Sequence, residues 1–159
     1  NKFNNRIMIN RKLYLVIAFL FLLSCEYQPV FSSKESGIAI EKIELAGNNN
    51  INSIIKSSLK RYERKNNKNK VYDLRISSQK SKSISLKDSK GDPKIFSMSI
   101  TVKINASKNN LSEHEKTFNQ SARYNNSANK FDLKRYEKKI EKDLANMIIG
   151  EIVIFLQSI

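Results

Sequence analysis

Two residues with distinctive side-chain chemistry each occur once: a cysteine, Cys25, and a histidine, His114. One cysteine excludes an internal disulfide, and one cysteine with one histidine supplies too few soft ligands for a zinc site. The four glycines form no phosphate-binding loop, and no short catalytic motif is present. We therefore expect no metal, no cofactor and no enzymatic activity. A secreted enzyme acting through His114, which lies between two glutamates in a polar segment predicted as a loop, is the weaker alternative.

The residues before Cys25 have the layout of a lipoprotein signal peptide. A basic segment that ends at Lys12 precedes eleven apolar or aromatic residues at 13–23, too few for a membrane span of about 20 residues. The following Ser24-Cys25 completes a sequence that resembles a bacterial lipobox, in which the peptide is cut before the cysteine, its thiol is alkylated with diacylglycerol and its new amino group is acylated. Several acyl chains would anchor the protein durably. The alternatives are a short buried helix and an unrelated buried cysteine.

The rest of the chain predicts one α+β domain with the element order β-α-β-β-β-α. Apolar residues recur at intervals of two in four segments and at helical spacing in two others. The predicted strands cover 38–45, 71–86, 96–104 and 116–124, and the predicted helices cover 53–64 and the segment from 131 onward. We expect a bulge near Lys42, an N-cap at Asn52, a hairpin tip at 87–94, and an apolar stripe in the last helix that includes Tyr136 and Met147.

These elements predict a two-layer sandwich: a mixed four-stranded sheet with two helices on one face. The other face carries Ser, Thr, Asn and isolated charges, which favours an open and hydrated surface. The predicted organisation is therefore a signal peptide at 1–24, a lipidated tether at 25–37 and a folded domain at 38–159.

The lipobox, the motif that follows it and the order of elements together resemble the lipopolysaccharide (LPS)-assembly lipoproteins of the LptE (RlpB) family. Members commonly begin Cys-Gly-Tyr/Phe-x-Pro-Leu-Tyr/Phe after processing. The positions that match are Cys25, Tyr27, Pro29 and Phe31, and those that depart are Glu26 and Val30. The resemblance implies an outer-membrane lipoprotein on the periplasmic side. It also implies a partner, the LptD β-barrel, whose assembly the protein assists and whose lumen it plugs, and contact with LPS without catalysis.

Two surfaces are candidates for contacts with LPS or the barrel. The formal net charge is +14, and its excess is concentrated between positions 59 and 94. The basic candidates are Arg75, Lys80, Lys82, Lys87, Lys90 and Lys94, and the polar candidates on the open sheet face are Ser97, Ser99, Thr101, Thr117, Asn119 and Ser121. For both sets the alternative is an ordinary solvated surface.

Two other roles are alternatives to the one that the LptE resemblance implies. An auxiliary periplasmic lipoprotein of an ABC-type lipid transport system would share the lipobox and a small α+β domain. A nucleic-acid partner is not expected, because part of the charge reflects a general bias toward Lys and Asn and because the signal peptide directs the chain out of the cytoplasm.

Overall fold

A computed structural model describes residues 37–63, 70–108 and 112–159. Its strands are β1 (Ile38–Gly47), β2 (Lys70–Lys87), β3 (Pro93–Lys108) and β4 (Ser112–Asn125), and its helices are α1 (Asn49–Leu59) and α2 (Lys130–Ser158). One 3₁₀ turn, Lys60–Tyr62, continues α1. The predicted α+β class and the order β-α-β-β-β-α are confirmed. The predicted hairpin tip is confirmed as well, because β2 ends and β3 begins within it.

The four strands form one mixed sheet in the order β1-β2-β3-β4. β1 runs parallel to β2, and the other two pairs are antiparallel. The predicted bulge is present: the register between β1 and β2 slips between Ile40 and Lys42. Because a slip of one residue exchanges the two faces of a strand, Ile40 before the bulge and Ile43 after it both point toward the core.

Both helices pack on one face of the sheet and enclose the core there. The strands contribute alternating side chains such as Tyr72, Ile76 and Ile104, which are almost completely buried. The helices contribute residues at helical spacing, among them Ile51, Ile55 and Leu59 in α1 and Leu144, Ile148, Ile152 and Leu156 in α2. The expected two-layer arrangement, with both helices on one face, is confirmed.

The predicted apolar stripe of α2 is wrong at two positions. Tyr136 and Met147 are 52% and 54% exposed, while Glu141 and Ala145 are buried in their place. At 100° per residue, Met147 lies on the opposite side of the helix from Ala145, so it cannot belong to the buried face. At these two positions, an apolar or aromatic side chain was therefore not enough to predict burial.

The predicted start of α1 is also corrected. The helix begins at Asn49, and its N-cap is Asn48, whose Oδ1 accepts hydrogen bonds from the backbone N–H of Asn50 (3.1 Å) and Ile51 (3.2 Å). Asn52, which the sequence proposed as the cap, lies inside the first turn and is buried. All three of the consecutive asparagines before Ile51 are favourable capping types, so the pattern alone could not select the right one.

The point where β1 leaves the sheet is fixed by Gly47 and Ser78. Gly47 has a φ of +94°, and a Cβ there would collide with the carbonyl oxygen of Ser78. The N–H of Asn48 donates to that carbonyl at 3.0 Å, and the hydroxyl of Ser78 donates to Oδ1 of the buried Asn52 at 2.6 Å. These bonds lock the end of β1 against the middle of β2.

Candidate functional site

The face of the sheet opposite the helices is polar. It is built from the odd-numbered positions of β2, β3 and β4, which alternate with the buried even-numbered positions. The antiparallel register places Ser99 of β3 between Ser81 and Ser121, and Thr101 between Gln79 and Asn119. Small hydroxyl and amide side chains thus form continuous rows across three strands.

Hydrogen bonds hold these rows in place without covering them. The amide of Asn119 donates to the hydroxyl of Thr101 at 2.8 Å, and the hydroxyls of Ser81 and Ser99 lie 2.8 Å apart. All six polar candidates lie on this face, as expected: Ser97, Ser99, Thr101, Thr117, Asn119 and Ser121. Because each hydroxyl both donates and accepts, the surface can bind water or the polar groups of a partner.

At the end of the same face that includes β1, away from the hairpin between β2 and β3, charges replace the hydroxyl groups. Three exposed ion pairs lie there: Lys42–Glu44 within β1 at 2.7 Å, Arg75–Glu113 between β2 and β4 at 2.6 Å, and Lys103–Glu115 between β3 and β4 at 2.9 Å. The hydrogen bond and charge of Lys42 lower the pKa of Glu44, and Glu44 in turn raises the pKa of Lys42. A shallow depression of about 500 Å³ lies among these pairs, lined by Glu44, Arg75, Lys103, Asn105 and Glu115 together with Ser77. Its charges balance, so it does not select an anion.

The six basic candidates do not form one patch. Arg75 lies on the polar face in its pair with Glu113, whereas Lys80 and Lys82 have the even parity of the core and lie on the helix face. Lys87, Lys90 and Lys94 lie around the hairpin between β2 and β3. The sequence grouped them by charge, but strand alternation distributes them over three surfaces.

Lys80 and Lys82 are engaged with α2. Lys80 Nζ lies 2.7 Å from Glu141, and Lys82 Nζ lies 2.6 Å from Glu137. Two residues along a strand rise about 6.6 Å and four along a helix about 6 Å, so the two lysines and the two glutamates match in spacing. Neither glutamate was identified from the sequence, although a strand with Lys at i and i+2 and a helix with Glu at i and i+4 is the signal that would have found them.

Glu137 is the centre of this contact. It also accepts a hydrogen bond from the hydroxyl of Tyr124 at 2.8 Å. Burial alone would raise the pKa of Glu137, but hydrogen bonds from Lys82 and Tyr124, together with the charges of Lys82 and Lys80, outweigh it and lower that pKa. Burial and the hydrogen bond to Glu137 raise the pKa of Tyr124. The site therefore holds an ionised carboxylate that joins β2, β4 and α2.

The hairpin tip presents the remaining cations to solvent. Oδ1 of Asp88 accepts hydrogen bonds from the N–H of Lys90 and of Asp92, both at 2.9 Å, and Gly91 adopts a φ of +89°. Lys87, Lys90 and Lys94 are exposed, and no acid lies within ion-pair distance of them in the described part of the chain. These three lysines are the basic candidates that stay available to a ligand.

His114 lies within β4, because that strand begins at Ser112 and not at 116 as predicted. It is half-buried on the helix side of the sheet, next to Ala106 in the register. Across residues 37–63, 70–108 and 112–159, no cluster of three or more potential metal ligands is present, and no helix is long and apolar enough to span a membrane. The predicted processing site, Ser24 and Cys25, and the predicted tether up to residue 36 lie outside the described residues.

The fold is similar to those of three solved bacterial lipoproteins. Rare lipoprotein B from Shewanella oneidensis shares 9% identity over 72% of this chain and 96% of its own, with a TM-score of 0.52. A minor lipoprotein from Acinetobacter baumannii shares 13% identity over 74% of this chain and 91% of its own, with a TM-score of 0.53. A lipoprotein from Caulobacter crescentus shares 14% identity over 77% of this chain and 89% of its own, with a TM-score of 0.54. No family model and no curated protein matches the sequence. The predicted resemblance to the RlpB family is confirmed in the fold.

Proposed function

We propose that the protein is an outer-membrane lipoprotein that partners an LptD-like β-barrel and assists both its assembly and the insertion of LPS, without catalysis. Its fold is that of rare lipoprotein B, and the sequence around Cys25 resembles a lipobox. Acylation of Cys25 would hold the domain at the periplasmic side of the outer membrane. The observation that carries the proposal is the polar face of the sheet.

The polar face fits the inside of a large barrel better than it fits a dry protein interface. Large outer-membrane barrels have polar, water-filled interiors, whereas permanent interfaces between proteins are rich in apolar side chains. The rows around Ser99 and Asn119 contain hydroxyl and amide groups, and the large apolar side chains of β3 and β4 point to the other face except Ile95, near the hairpin. Contact through bridging water suits such a surface.

For LPS, the exposed hairpin lysines are the stronger candidates. Lys87, Lys90 and Lys94 lie at one end of the sheet without acidic partners among the described residues, so they can bind phosphate groups without first breaking an ion pair. Lys80 and Lys82 would have to leave Glu141 and Glu137, one of which is buried.

Site-specific photocrosslinking in cells tests the barrel contact. A crosslinker at Ser99 or Asn119 should capture a large outer-membrane β-barrel protein, because both positions lie on the polar face. The matched control is Lys142, an exposed position on the outer side of α2, which should capture it far less. Equal capture from all three positions, or none from the polar face, contradicts the proposal.

The anchor and the alternative function are tested on native material. Intact mass should show a chain that begins at Cys25 and carries acyl groups, and Cys25→Ser should release the protein from the membrane fraction. Co-purification with an ABC transport complex in place of a β-barrel would replace the proposed partner with that of the alternative.

A further inference from the structure

One half of β2 lacks a strand on one of its sides. β1 pairs with β2 only from Lys70 to Ser78. Among the described residues, the nine residues Gln79–Lys87 have β3 as their only neighbouring strand, and the register with β3 slips between Ile84 and Leu86, which makes Ser85 a bulge. We call these nine residues the free edge. We propose that the free edge binds an extended segment of another polypeptide, which adds to the sheet as a strand. Every second residue of an edge strand directs its N–H and C=O outward, so the part of the free edge before the bulge, Gln79–Ile84, offers a regular backbone ladder about 20 Å long.

The missing neighbouring strand also leaves apolar side chains along the free edge exposed. Ile84 is 46% exposed although it lies on the helix face, whereas Ile76 in the paired half of the same strand is 2% exposed. Ser81 and Ser83 lie on the polar face, and Leu86, which pairs with Ile95 after the bulge, lies there too and is 47% exposed. A strand added here, with apolar side chains on the helix side and polar side chains on the other, would match both surfaces.

The chain cannot close this gap by lengthening β1. Gly47, the hydrogen bond from the N–H of Asn48 to the carbonyl of Ser78 and the hydrogen bond from the hydroxyl of Ser78 to Asn52 fix the point where β1 leaves the sheet. To join two parallel strands, α1 must then run back toward the start of β2, and so it covers the paired half instead of the free edge. The absence of a strand beside the free edge is therefore a fixed feature of the sheet.

Charge argues against a second copy of this chain as the occupant. Lys80, Lys82 and Lys87 lie along the free edge, and pairing two such edges would bring lysines of both copies close together. Like charges on neighbouring strands are destabilising, and edge lysines commonly prevent self-pairing. Glu141 and Glu137 already bind Lys80 and Lys82, but no acid within the described ranges lies within ion-pair distance of Lys87. The occupant therefore carries alternating apolar and polar residues and an acidic residue near Lys87.

The outer edge of β4 provides an internal comparison. No described strand pairs with this edge either, but the apolar side chains of β4 are already covered. Phe118 is 5% exposed and packs edge-on against Phe155 of α2. Gln120 binds Glu151 of the same helix at 2.7 Å. A strand added at β4 would gain backbone bonds but little apolar contact, so we expect the free edge to be preferred.

Amide hydrogen exchange on the full chain in detergent tests this binding. The probe is a nine-residue peptide that alternates valine and threonine between two terminal glutamates. Exchange at Gln79–Lys87 should slow when the peptide is added, and exchange at the outer edge of β4 should not change. The same peptide N-methylated at alternate residues cannot form the ladder and should give no protection, and replacing its glutamates with lysines should weaken binding.

Matched variants locate the contact. Ile84→Lys removes apolar contact at the free edge and should weaken peptide binding about tenfold, whereas Thr117→Lys on the polar face should leave it unchanged. Three results would overturn the proposal: equal binding of the N-methylated peptide, equal protection of β4, or amides at Gln79–Lys87 that are already as slow as those of β3 without peptide. The last would mean that the chain itself or a second copy occupies the edge. Failure here leaves the crosslinking test of the polar face unaffected.

Discussion

The two halves of β2 belong to one strand but have opposite surroundings. In the half from Lys70 to Ser78, the even positions are buried between β1, β3 and the helices. In the half from Gln79 to Lys87, Lys80, Lys82 and Ile84 take the helix-face positions before the bulge, and every residue from Ser81 onward is exposed. Alternation in a strand thus indicates which face a side chain takes. Whether that face is covered depends on elements far away in the chain.

Different forces hold the two halves against α2. The paired half contributes Tyr72, Leu74 and Ile76 to the apolar core, where they are almost inaccessible to solvent, and Lys70 and Tyr72 also donate hydrogen bonds to backbone carbonyls at the C-terminal end of α2. The free half is held by Lys80 and Lys82, which reach the two glutamates of the helix. Apolar burial does not depend on pH, whereas an ion pair does, so the halves should respond differently to mutation and to acid.

The largest expected difference comes from shortening the same residue type in both halves. Ile76→Ala removes buried methyl groups and leaves a cavity, which should lower the free energy of unfolding by about 3 kcal/mol. Ile84→Ala removes groups that are already half in water and should cost about 1 kcal/mol or less. Urea denaturation of both variants measures the difference. Equal losses would show that something covers Ile84 in solution and would remove the contrast between the halves.

A smaller effect is expected at the boundary between the halves. Gly47→Ala forces a side chain into a positive-φ position and against the carbonyl of Ser78, and should cost about 2 kcal/mol or more. Gly91→Ala is the matched control, because its φ is +89° but nothing lies within 4 Å of the added Cβ. The control should lose about 1 kcal/mol, from backbone strain alone. If both variants lose the same amount in thermal or urea unfolding, the close approach of β1 to Ser78 does not fix the end of β1.

Local pattern predicted the elements well and their partners poorly. The bulge near Lys42, the hairpin tip and the alternation of β3 follow from residues adjacent in sequence, and all three are confirmed. The N-cap was misplaced because four asparagines within five residues, Asn48, Asn49, Asn50 and Asn52, favour the same role. The lysines at 80 and 82 were grouped with the hairpin lysines because their partners, Glu137 and Glu141, are more than fifty residues away. Such pairings depend on the tertiary fold, which a single sequence does not display.

The polar candidate face was predictable for the same reason that the basic patch was not. Ser97, Ser99 and Thr101 occupy one parity of one strand, so their shared orientation follows from strand geometry alone. The free edge, by contrast, exists because β1 stops at Gly47 while β2 continues, and no local feature of β2 marks that point. Surfaces made within an element can be predicted from sequence, whereas surfaces made by a missing neighbour require the structure.

The smallest expected effect separates the charged contact from the apolar one by pH. The pKa of Glu137 is lower in the folded state than in the unfolded chain, so its contribution to stability is complete above the unfolded value and is lost as pH falls through the folded value. Glu137→Gln keeps an acceptor for Tyr124 but removes the charge, and should lower the free energy of unfolding by about 1 kcal/mol at neutral pH. Below pH of about 4 the variant and the parent should converge in free energy of unfolding, since the parent carboxylate is then increasingly protonated.

Glu44→Gln is the control, because the Lys42–Glu44 pair is exposed and its small effect should disappear in high salt. A constant difference between Glu137→Gln and the parent across the pH range would show that Glu137 acts by packing and not by charge, and the free half of β2 would then be held to α2 in the same way as the paired half.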